Sequence, residues 1–185
     1  MDRHQSAVRR TIAVAVAAAG ALLAACDSQR IADEAARRAA AADSAEQVMY
    51  RASTVITTNG ARRGTISGDT VATYDALTRF RFRPMQIQFV SSLGRPLARL
   101  TAPSGEYSLE KNLVQTSGAV TIVSDTTGRR IQTSAVRYDA ATNQLVSDSA
   151  FTATAGSRKL SGTGFTTDPG LFSVKCVNQC SGSLR

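Results

Sequence analysis

The feature of the sequence that most constrains its fold is a short sequence motif repeated at regular intervals. Glycine turns with arginine beside them occur at Gly60, Gly94 and Gly128, 34 residues apart on both steps. Such self-similarity predicts stacked copies of one small unit, none of which can bury its apolar face alone. The copies are rich in Thr, Ser, Val, Ile and Gly, which favours repeated β-hairpins over helical repeats.

Each copy ends in an aromatic residue. Tyr74-Asp75, Tyr107-Ser108 and Tyr138-Asp139 close the first three copies, and a looser fourth copy runs from Gly156 to Phe165. Turn signals such as Asn59-Gly60, a strong tight-hairpin pair, separate strands within the copies. The predicted strands lie near residues 50–58, 63–74, 79–90, 95–107, 113–123, 130–138, 145–155 and 158–166. This spacing predicts an all-β antiparallel sandwich, barrel or jelly roll.

One predicted strand changes its apolar parity part-way along. Phe80 and Phe82 share one face by the period of two, whereas Met85, Ile87 and Phe89 share the opposite face. Pro84 lies at the switch, and proline within sheets is confined to edges and bulges. A bulge there would turn both apolar sets toward the same interior.

The N-terminus has the pattern of an export signal. Arg3, Arg9 and Arg10 precede the apolar run Thr11–Ala25, which is shorter than the roughly 20 residues of a spanning helix. The run ends in Leu23-Ala24-Ala25-Cys26, which resembles the lipobox of bacterial lipoproteins and predicts a lipid anchor on Cys26. An ordinary signal peptide and an uncleaved anchor are the alternatives.

A polar segment separates this signal from the strands. Asp33 and Arg37, like Glu34 and Arg38, are spaced to pair on a solvated helix. We predict a signal peptide at 1–25, an anchor and helical or disordered spacer at 26–48, the β domain at 49–176 and a tail at 177–185. A basic helix lying on lipid headgroups is the alternative for the spacer.

The remaining cysteines, Cys176 and Cys180, would lie in an oxidising compartment, where we expect a disulfide. A metal site needs more ligands than this pair supplies, and two free thiols are the other possibility.

The chain lacks the residue types of several catalytic sites. Its single histidine, His4, lies in the signal, so Ser-His-Asp and Cys-His catalysis and histidine metal sites are not available to the mature chain. Turn aspartates are usually structural because they bind their own backbone; here they are Asp75, Asp125, Asp139 and Asp168. Gly162-Thr163-Gly164 lacks a following helix, which argues against a phosphate loop. We predict no catalytic residues, no metal and no cofactor.

With those catalytic sites excluded, the function class that the sequence favours is ligand binding. The net charge of +8 suits an anionic lipid surface, and the dispersed arginines argue against nucleic acid. The apolar faces would form either a closed core or a groove for hydrocarbon. The candidate groove residues are Phe82, Met85, Ile87, Phe89, Leu100, Val120, Ile122 and Phe151. Arginines beside the turns could meet phosphates or simply keep the hairpin ends soluble.

Several short motifs occur in an order that resembles a known family. They are Leu97–Ala102 through Tyr107, Ser117–Ile122, Gly128–Thr133, Val136–Asp139, Asn143–Asp148, Gly162–Phe165 and Asp168-Pro169. Their order, covering most of residues 50–176, is similar to that of the OstA-like, LptC-type periplasmic domain.

The resemblance implies a twisted antiparallel β-jellyroll with a hydrophobic groove. It implies a carrier, tethered at the inner membrane, that takes lipid A acyl chains of lipopolysaccharide from an ABC transporter. It also implies transfer of the chains to an LptA-type protein stacked on a free sheet edge. The lipobox and the Cys176/Cys180 loop depart from the family pattern. A scaffolding envelope lipoprotein with a closed β core is the alternative function.

Overall fold

The computed structural model describes residues 44–184, which form strands, turns and bends without a helix. The strands are β1 Gln47–Thr58, β2 Ala61–Tyr74, β3 Arg79–Arg83, β4 Met85–Val90, β5 Pro96–Ala102, β6 Ser104–Ser108, β7 Leu113–Ser124, β8 Arg130–Asp139, β9 Gln144–Ala155, β10 Arg158–Thr167 and β11 Val174–Gly182. The prediction of an all-β antiparallel fold is confirmed. The predicted signal peptide, the lipid anchor at Cys26 and most of the spacer lie outside the described residues.

The strands form one continuous antiparallel meander. β3 and β4 are two parts of one long strand, as are β5 and β6, because β3 pairs with β6 while β4 pairs with β5. From β1 to β11 every long strand therefore pairs with the next strand in the sequence. The strand β11 continues the sheet to Gly182, past the boundary predicted at residue 176. Within residues 44–184 no helix is long and apolar enough to cross a membrane.

Each copy of the repeated sequence motif corresponds to a pair of neighbouring strands. Asn59 and Gly60 both have positive φ angles, +52° and +75°, in the turn between β1 and β2, as a tight hairpin requires. Gly94, Gly128 and Gly156 occupy later turns at the same end of the meander. The tyrosines lie toward the other end, so each 34-residue step carries the chain down one strand and back along the next.

A crease crosses the sheet about halfway along its long strands. Pro84 separates β3 from β4, and Pro103 separates β5 from β6. Further along, the strand registers shift near Gly118 in β7, near Asp148 in β9 and near Gly164 in β10. Extra residues at the register shifts bend the strands and increase their twist, and together with the breaks at the two prolines they let the sheet fold across one line.

The crease divides the sheet into two halves. The tyrosine half-sheet comprises β3, β6 and residues 70–74, 113–117, 135–139, 144–148 and 164–167. The glycine half-sheet comprises β4, β5 and residues 61–68, 120–124, 130–133, 150–155 and 158–163. Phe89 contacts Tyr138 at 4.8 Å between ring centroids, and Phe151 contacts Phe165 at 5.0 Å, each pair joining the two halves. The folded sheet is a β-jellyroll with one apolar interior.

The structure gives a different reason for the parity switch at Pro84 from the predicted bulge. Thr70 lies opposite Arg83 and Ser67 lies opposite Gln86, so β2 keeps one register past the proline. No residue is inserted, and the strand is interrupted at the cis Arg83-Pro84 peptide instead. Phe82 and Met85 nevertheless both have 0% exposure, so the predicted shared interior is present.

Gly118 offers a test of the crease. Its φ of +96° is disfavoured for L side chains, and an added Cβ would lie 3.0 Å from Cγ of Pro103. We expect Gly118→Ala to lower the free energy of unfolding by about 1–3 kcal/mol, measured by urea denaturation. Gly60→Ala is the control, because its φ is also positive but a Cβ would meet no atom within 4 Å. An equal loss in both variants would contradict a packing role for Gly118.

Candidate functional site

The jellyroll interior brings together every residue predicted for a groove. The long strand β3–β4 contributes four of these side chains, β5 and β9 contribute one each, and β7 contributes two. All belong to one buried cluster with exposures of 0–4%: Phe82, Met85, Ile87, Phe89, Leu100, Val120, Ile122 and Phe151. The sequence-based set therefore lies within a single apolar volume, whose use for binding hydrocarbon stays a prediction.

In the described structure these side chains fill the interior rather than line an open groove. Sequence reasoning missed several buried residues of similar size, among them Tyr107, Tyr138, Ile66, Ile131 and Phe165. The tyrosines were visible as the closing residues of each repeat, and that recurrence was the signal for an inward-facing position. Three surface pockets of the described residues are lined mainly by polar and charged side chains and by none of the eight predicted groove residues.

Tyr138 places a phenol at the border of the interior. Its hydroxyl donates a hydrogen bond to Oδ1 of Asn143 at 2.9 Å. Burial is the main cause that raises the pKa of Tyr138 to about 12, while Arg63 opposes the shift and Asp139 and Tyr107 add to it. Burial also raises the pKa of Tyr107. Both phenols therefore stay neutral over the physiological pH range, which suits an apolar interior.

Arg63 brings a cation close to this border. It is the extra residue of a register shift in β2, where Ile56 pairs with Gly64 and Thr57 pairs with Arg62. Its Nε atom is buried and makes no hydrogen bond. The strand thus holds a positive charge near Tyr138 at the turn end of the jellyroll.

Two sets of hydrogen bonds close the jellyroll away from the crease. Ser124 Oγ donates to the carbonyl of Gly170 at 2.8 Å, and Arg129 Nη1 donates to the carbonyls of Leu171 and Phe172 at 2.8 and 2.7 Å. We call Ser124, Arg129 and the loop 168–173 the clasp. Since the loop follows the tyrosine half-sheet while Ser124 ends a strand of the glycine half-sheet, the clasp joins the two halves.

A second bridge lies at the β1–β2 turn. Thr58 Oγ1 donates to the carbonyl of Ala140 at 3.1 Å, and this contact is buried. It connects the glycine turn of the first hairpin to the turn between β8 and β9. The interior is therefore bounded by the crease on one side and by hydrogen-bonded bridges at the turns.

Two of the four turn aspartates, Asp168 and Asp139, accept hydrogen bonds from nearby backbone amides, as expected from their positions. Asp168 accepts hydrogen bonds from the amides of Phe172 and Ser173, which shapes the clasp loop. Asp139 accepts from the amides of Ala141 and Thr142. Partial burial disfavours the Asp139 carboxylate, but the hydrogen bonds from Thr142 and Ala141 outweigh burial and lower its pKa.

The other two turn aspartates bind side chains. Asp75 forms an ion pair with Arg79 at 2.7 Å, whose hydrogen bond lowers the pKa of Asp75. Asp125 accepts a hydrogen bond from Gln88. Among residues 44–184, no group of three or more potential metal ligands is brought together.

Cys176 and Cys180 are joined by a disulfide on β11. The bond spans a register shift, where one extra residue of β11 lies between the pairs Ser161–Ser181 and Thr163–Asn178. Gly162 of β10 makes room for it, because an added Cβ there would lie 2.5 Å from Cys176 Sγ. Cys176 also packs against the buried cluster. The disulfide therefore covers the interior at the β11 end of the sheet.

A family model matches residues 12–169 and describes "LptC: Lipopolysaccharide-assembly, LptC-related". The chain belongs to this family. Membership gives this LptC-related chain a role in lipopolysaccharide transport, and it confirms the resemblance inferred from the ordered motifs. No curated protein matches the chain in a sequence comparison.

One similar solved structure is the crystal structure of LptH, the LptA homologous periplasmic component of the lipopolysaccharide transport device from Pseudomonas aeruginosa. The two chains are 10% identical, and the alignment covers 75% of this chain and 94% of that chain with a TM-score of 0.41.

The raised pKa of Tyr138 predicts a pH dependence of stability. A neutral phenol is favoured in the folded state, so stability is fully present below pH 10 and is lost as the pH rises from 10 toward about 12. Tyr138→Phe should lose less stability over this window in urea denaturation. At neutral pH it should lose about 1 kcal/mol with the Asn143 hydrogen bond.

The exposed ring of Tyr50 gives the control variant Tyr50→Phe, which should follow the wild type at every pH. The assignment to Tyr138 is wrong if Tyr138→Phe and the wild type decline in parallel above pH 10.

Proposed function

We propose that this LptC-related chain is a non-enzymatic periplasmic carrier of lipopolysaccharide. It holds lipid A acyl chains between its two half-sheets, taking them from an inner-membrane ABC transporter and passing them to an LptA-type protein. The observation that carries the proposal is one apolar interior enclosed by a folded sheet, in a member of a lipopolysaccharide-assembly family.

The filled interior requires the half-sheets to separate before hydrocarbon enters. Each methylene transferred from water contributes about 0.8 kcal/mol, so a chain of a dozen methylenes contributes about 10 kcal/mol. The bridges at the turns consist of a few hydrogen bonds, each with a net contribution of about 1 kcal/mol and up to about 3 kcal/mol for a charged donor. Relative to an acyl chain exposed to water, hydrocarbon transfer is therefore large enough to offset the loss of the hydrogen bonds in the bridges.

The geometry favours opening about the crease. The crease lies where most of the strands are already interrupted or shifted, whereas the clasp is held by discrete hydrogen bonds from Ser124 and Arg129. Breaking the clasp exposes the interior while the ladder pairing between strands is kept. Acyl chains would then enter between the glycine and tyrosine half-sheets.

The sheet has two free edges for partner proteins. In the described range β1 pairs only with β2 and β11 pairs only with β10, so each has one side with unpaired backbone groups. Strand addition to such an edge is the proposed mode of docking for the LptA-type protein. The disulfide and register shift in β11 shorten the regular part of that edge.

The N-terminal residues supply the proposed tether. Cleavage before Cys26 and lipidation of its sulfur would anchor the β domain to the inner membrane through the spacer at 26–48. The residue after the cysteine, Asp27, is one that retains lipoproteins at the inner membrane in some bacteria. This tether would keep the domain at the membrane from which its cargo is extracted.

Site-specific photocrosslinking tests the carrier function. A photoreactive residue at Leu100, whose side chain is fully buried in the cluster, should crosslink to lipopolysaccharide in cells. The same residue at Leu93, which is 75% exposed on a turn, is the control and should not crosslink. Crosslinking at neither position, or equally at both, would refute an interior cargo site.

Charged substitutions are not suitable probes of the interior. Ile87 and Phe89 both have 0% exposure, so an unpaired charge at either position would destabilise the fold itself. Loss of lipid binding in such variants would report unfolding rather than a lost contact.

The clasp provides a gain-of-function test. Arg129→Ala removes two hydrogen bonds to the carbonyls of Leu171 and Phe172. We expect uptake of a fluorescent fatty acid to become several-fold faster in stopped-flow mixing, since about 1–3 kcal/mol is removed from the closed state. Arg130→Ala changes the neighbouring exposed arginine and should leave the uptake rate unchanged.

A scaffolding lipoprotein is the second candidate, and the filled interior favours it. In that case neither the wild type nor Arg129→Ala takes up the probe, although Arg129→Ala still loses stability. Saturable uptake that Arg129→Ala accelerates would support the carrier instead.

A further inference from the structure

The outer face of the tyrosine half-sheet carries a trough that is separate from the apolar interior. Its volume is about 550 Å³. Side chains from five neighbouring strands, β3, β6, β7, β8 and β9, line it. The outward side chains of the lining alternate along each strand with buried lining residues such as Thr116 and Val136, so the trough opens on the opposite face from the predicted cargo site.

The trough is concave because small residues lie between large ones. Ser104, Ser117 and Ala135 occupy its middle, with Ser104 opposite Ser117 and Ser117 opposite Ala135. Arginines stand at the two sides, Arg81 and Arg83 on β3 and Arg137 on β8. Adjacent strands are about 4.8 Å apart, so the backbones of Arg81 and Arg137, three strands apart, are separated by about 14 Å.

One row of paired residues crosses the trough. Arg81 lies opposite Glu106, Glu106 opposite Gln115, and Gln115 opposite Arg137. The row therefore alternates a cation, a carboxylate, an amide and a second cation along the direction of strand pairing. It presents both donors and acceptors to a molecule lying across the strands.

The charges around the trough leave its arginines dominant. Glu106 is shared by Arg79 at 3.4 Å and Arg81 at 3.7 Å, so two cations already neutralise this carboxylate. Arg83 and Arg137 are exposed at opposite sides, and Asp148 contributes the second lining carboxylate. Guanidinium groups bind phosphate with paired hydrogen bonds, whereas the remaining lining groups suit hydroxyls.

We propose that this trough binds a phosphorylated saccharide. Arg83 and Arg137 bind the phosphate groups, while Ser104, Ser117 and Gln115 bind sugar hydroxyls. The lining contains no aromatic ring, and its aliphatic side chains are those of Ala135, Val136 and Val146. The glycan of lipopolysaccharide and a free sugar phosphate share this chemistry, and they are the two possible sources of the ligand.

Titration of the full-length protein by NMR tests the proposal with glucose 1-phosphate, glucose and inorganic phosphate as separate probes. We expect saturable shifts of the backbone amides of Gly105, Gln115 and Ser117 with glucose 1-phosphate, and weaker binding of the two component molecules. Arg137→Ala should weaken binding about tenfold, the effect of losing a hydrogen bond to a charged group. Arg158→Ala, an exposed arginine on β10 outside the trough, is the matched control and should bind as the wild type does.

The outcomes separate the possible ligands. Tighter binding of deacylated lipopolysaccharide than of glucose 1-phosphate assigns the trough to the cargo glycan, and the reverse assigns it to a free sugar phosphate. Equal binding of inorganic phosphate and glucose 1-phosphate overturns saccharide recognition, and so does binding that Arg137→Ala leaves unchanged. Fatty-acid uptake by Arg137→Ala should equal that of the wild type, so failure of the trough leaves the interior cargo site independently testable.

Discussion

A long antiparallel meander with one apolar face must bury that face against something, and the described chain offers no helix to cover it. The sheet therefore buries the face against itself. This requires nearly every strand to bend at the same level, which explains why Pro84, Pro103 and the shift near Gly118 line up across neighbouring strands. Bends scattered along the strands would leave ladder hydrogen bonds broken without bringing the two halves together.

The same folding separates two chemical environments. Side chains on the inner face of the bend, such as Phe89 and Tyr138, meet across the interior, while alternate residues are turned to solvent. The inner face can thus contact hydrocarbon while the outer face presents arginines to solvent. Only the thickness of the sheet backbone separates these two surfaces. An amphiphilic cargo with apolar chains and anionic sugars needs both kinds of surface.

The sequence predicted most strands because turns in this chain carry strong local signals. Asn59-Gly60 and the later glycines require positive φ, so their positions mark the hairpins independently of tertiary contacts. The strand β11 was missed because Val174–Gly182 has no alternating apolar pattern, its burial being almost entirely exposed or intermediate. Its pairing with β10 is a tertiary contact that local periodicity does not encode.

The sequence predicted that the eight candidate residues share one interior, but it did not predict whether that interior is open or filled. Parity on either side of Pro84 predicted that Phe82, Met85, Ile87 and Phe89 face one interior, and all eight candidate residues lie in one cluster. Whether that cluster is open or filled depends on the angle between the half-sheets. That angle is set by distant contacts such as Ser124 with Gly170, 46 residues apart in sequence. The outer trough could likewise not be predicted from the sequence, because its shape depends on the register of five strands rather than on any one segment.

Gly162 gives the disulfide a particular meaning for this chain. The sulfur of Cys176 occupies the space in which any other residue at 162 would place its first side-chain carbon. The space beside Gly162 of β10 is thus occupied by the disulfide of the neighbouring strand β11 rather than by a side chain of β10 itself. A relative that carries a larger residue at this position has no room for the bridge. The cysteine pair therefore depends on glycine at position 162, and the carbonyl oxygen of Asn178, 2.8 Å from the same Cβ position, favours glycine there as well.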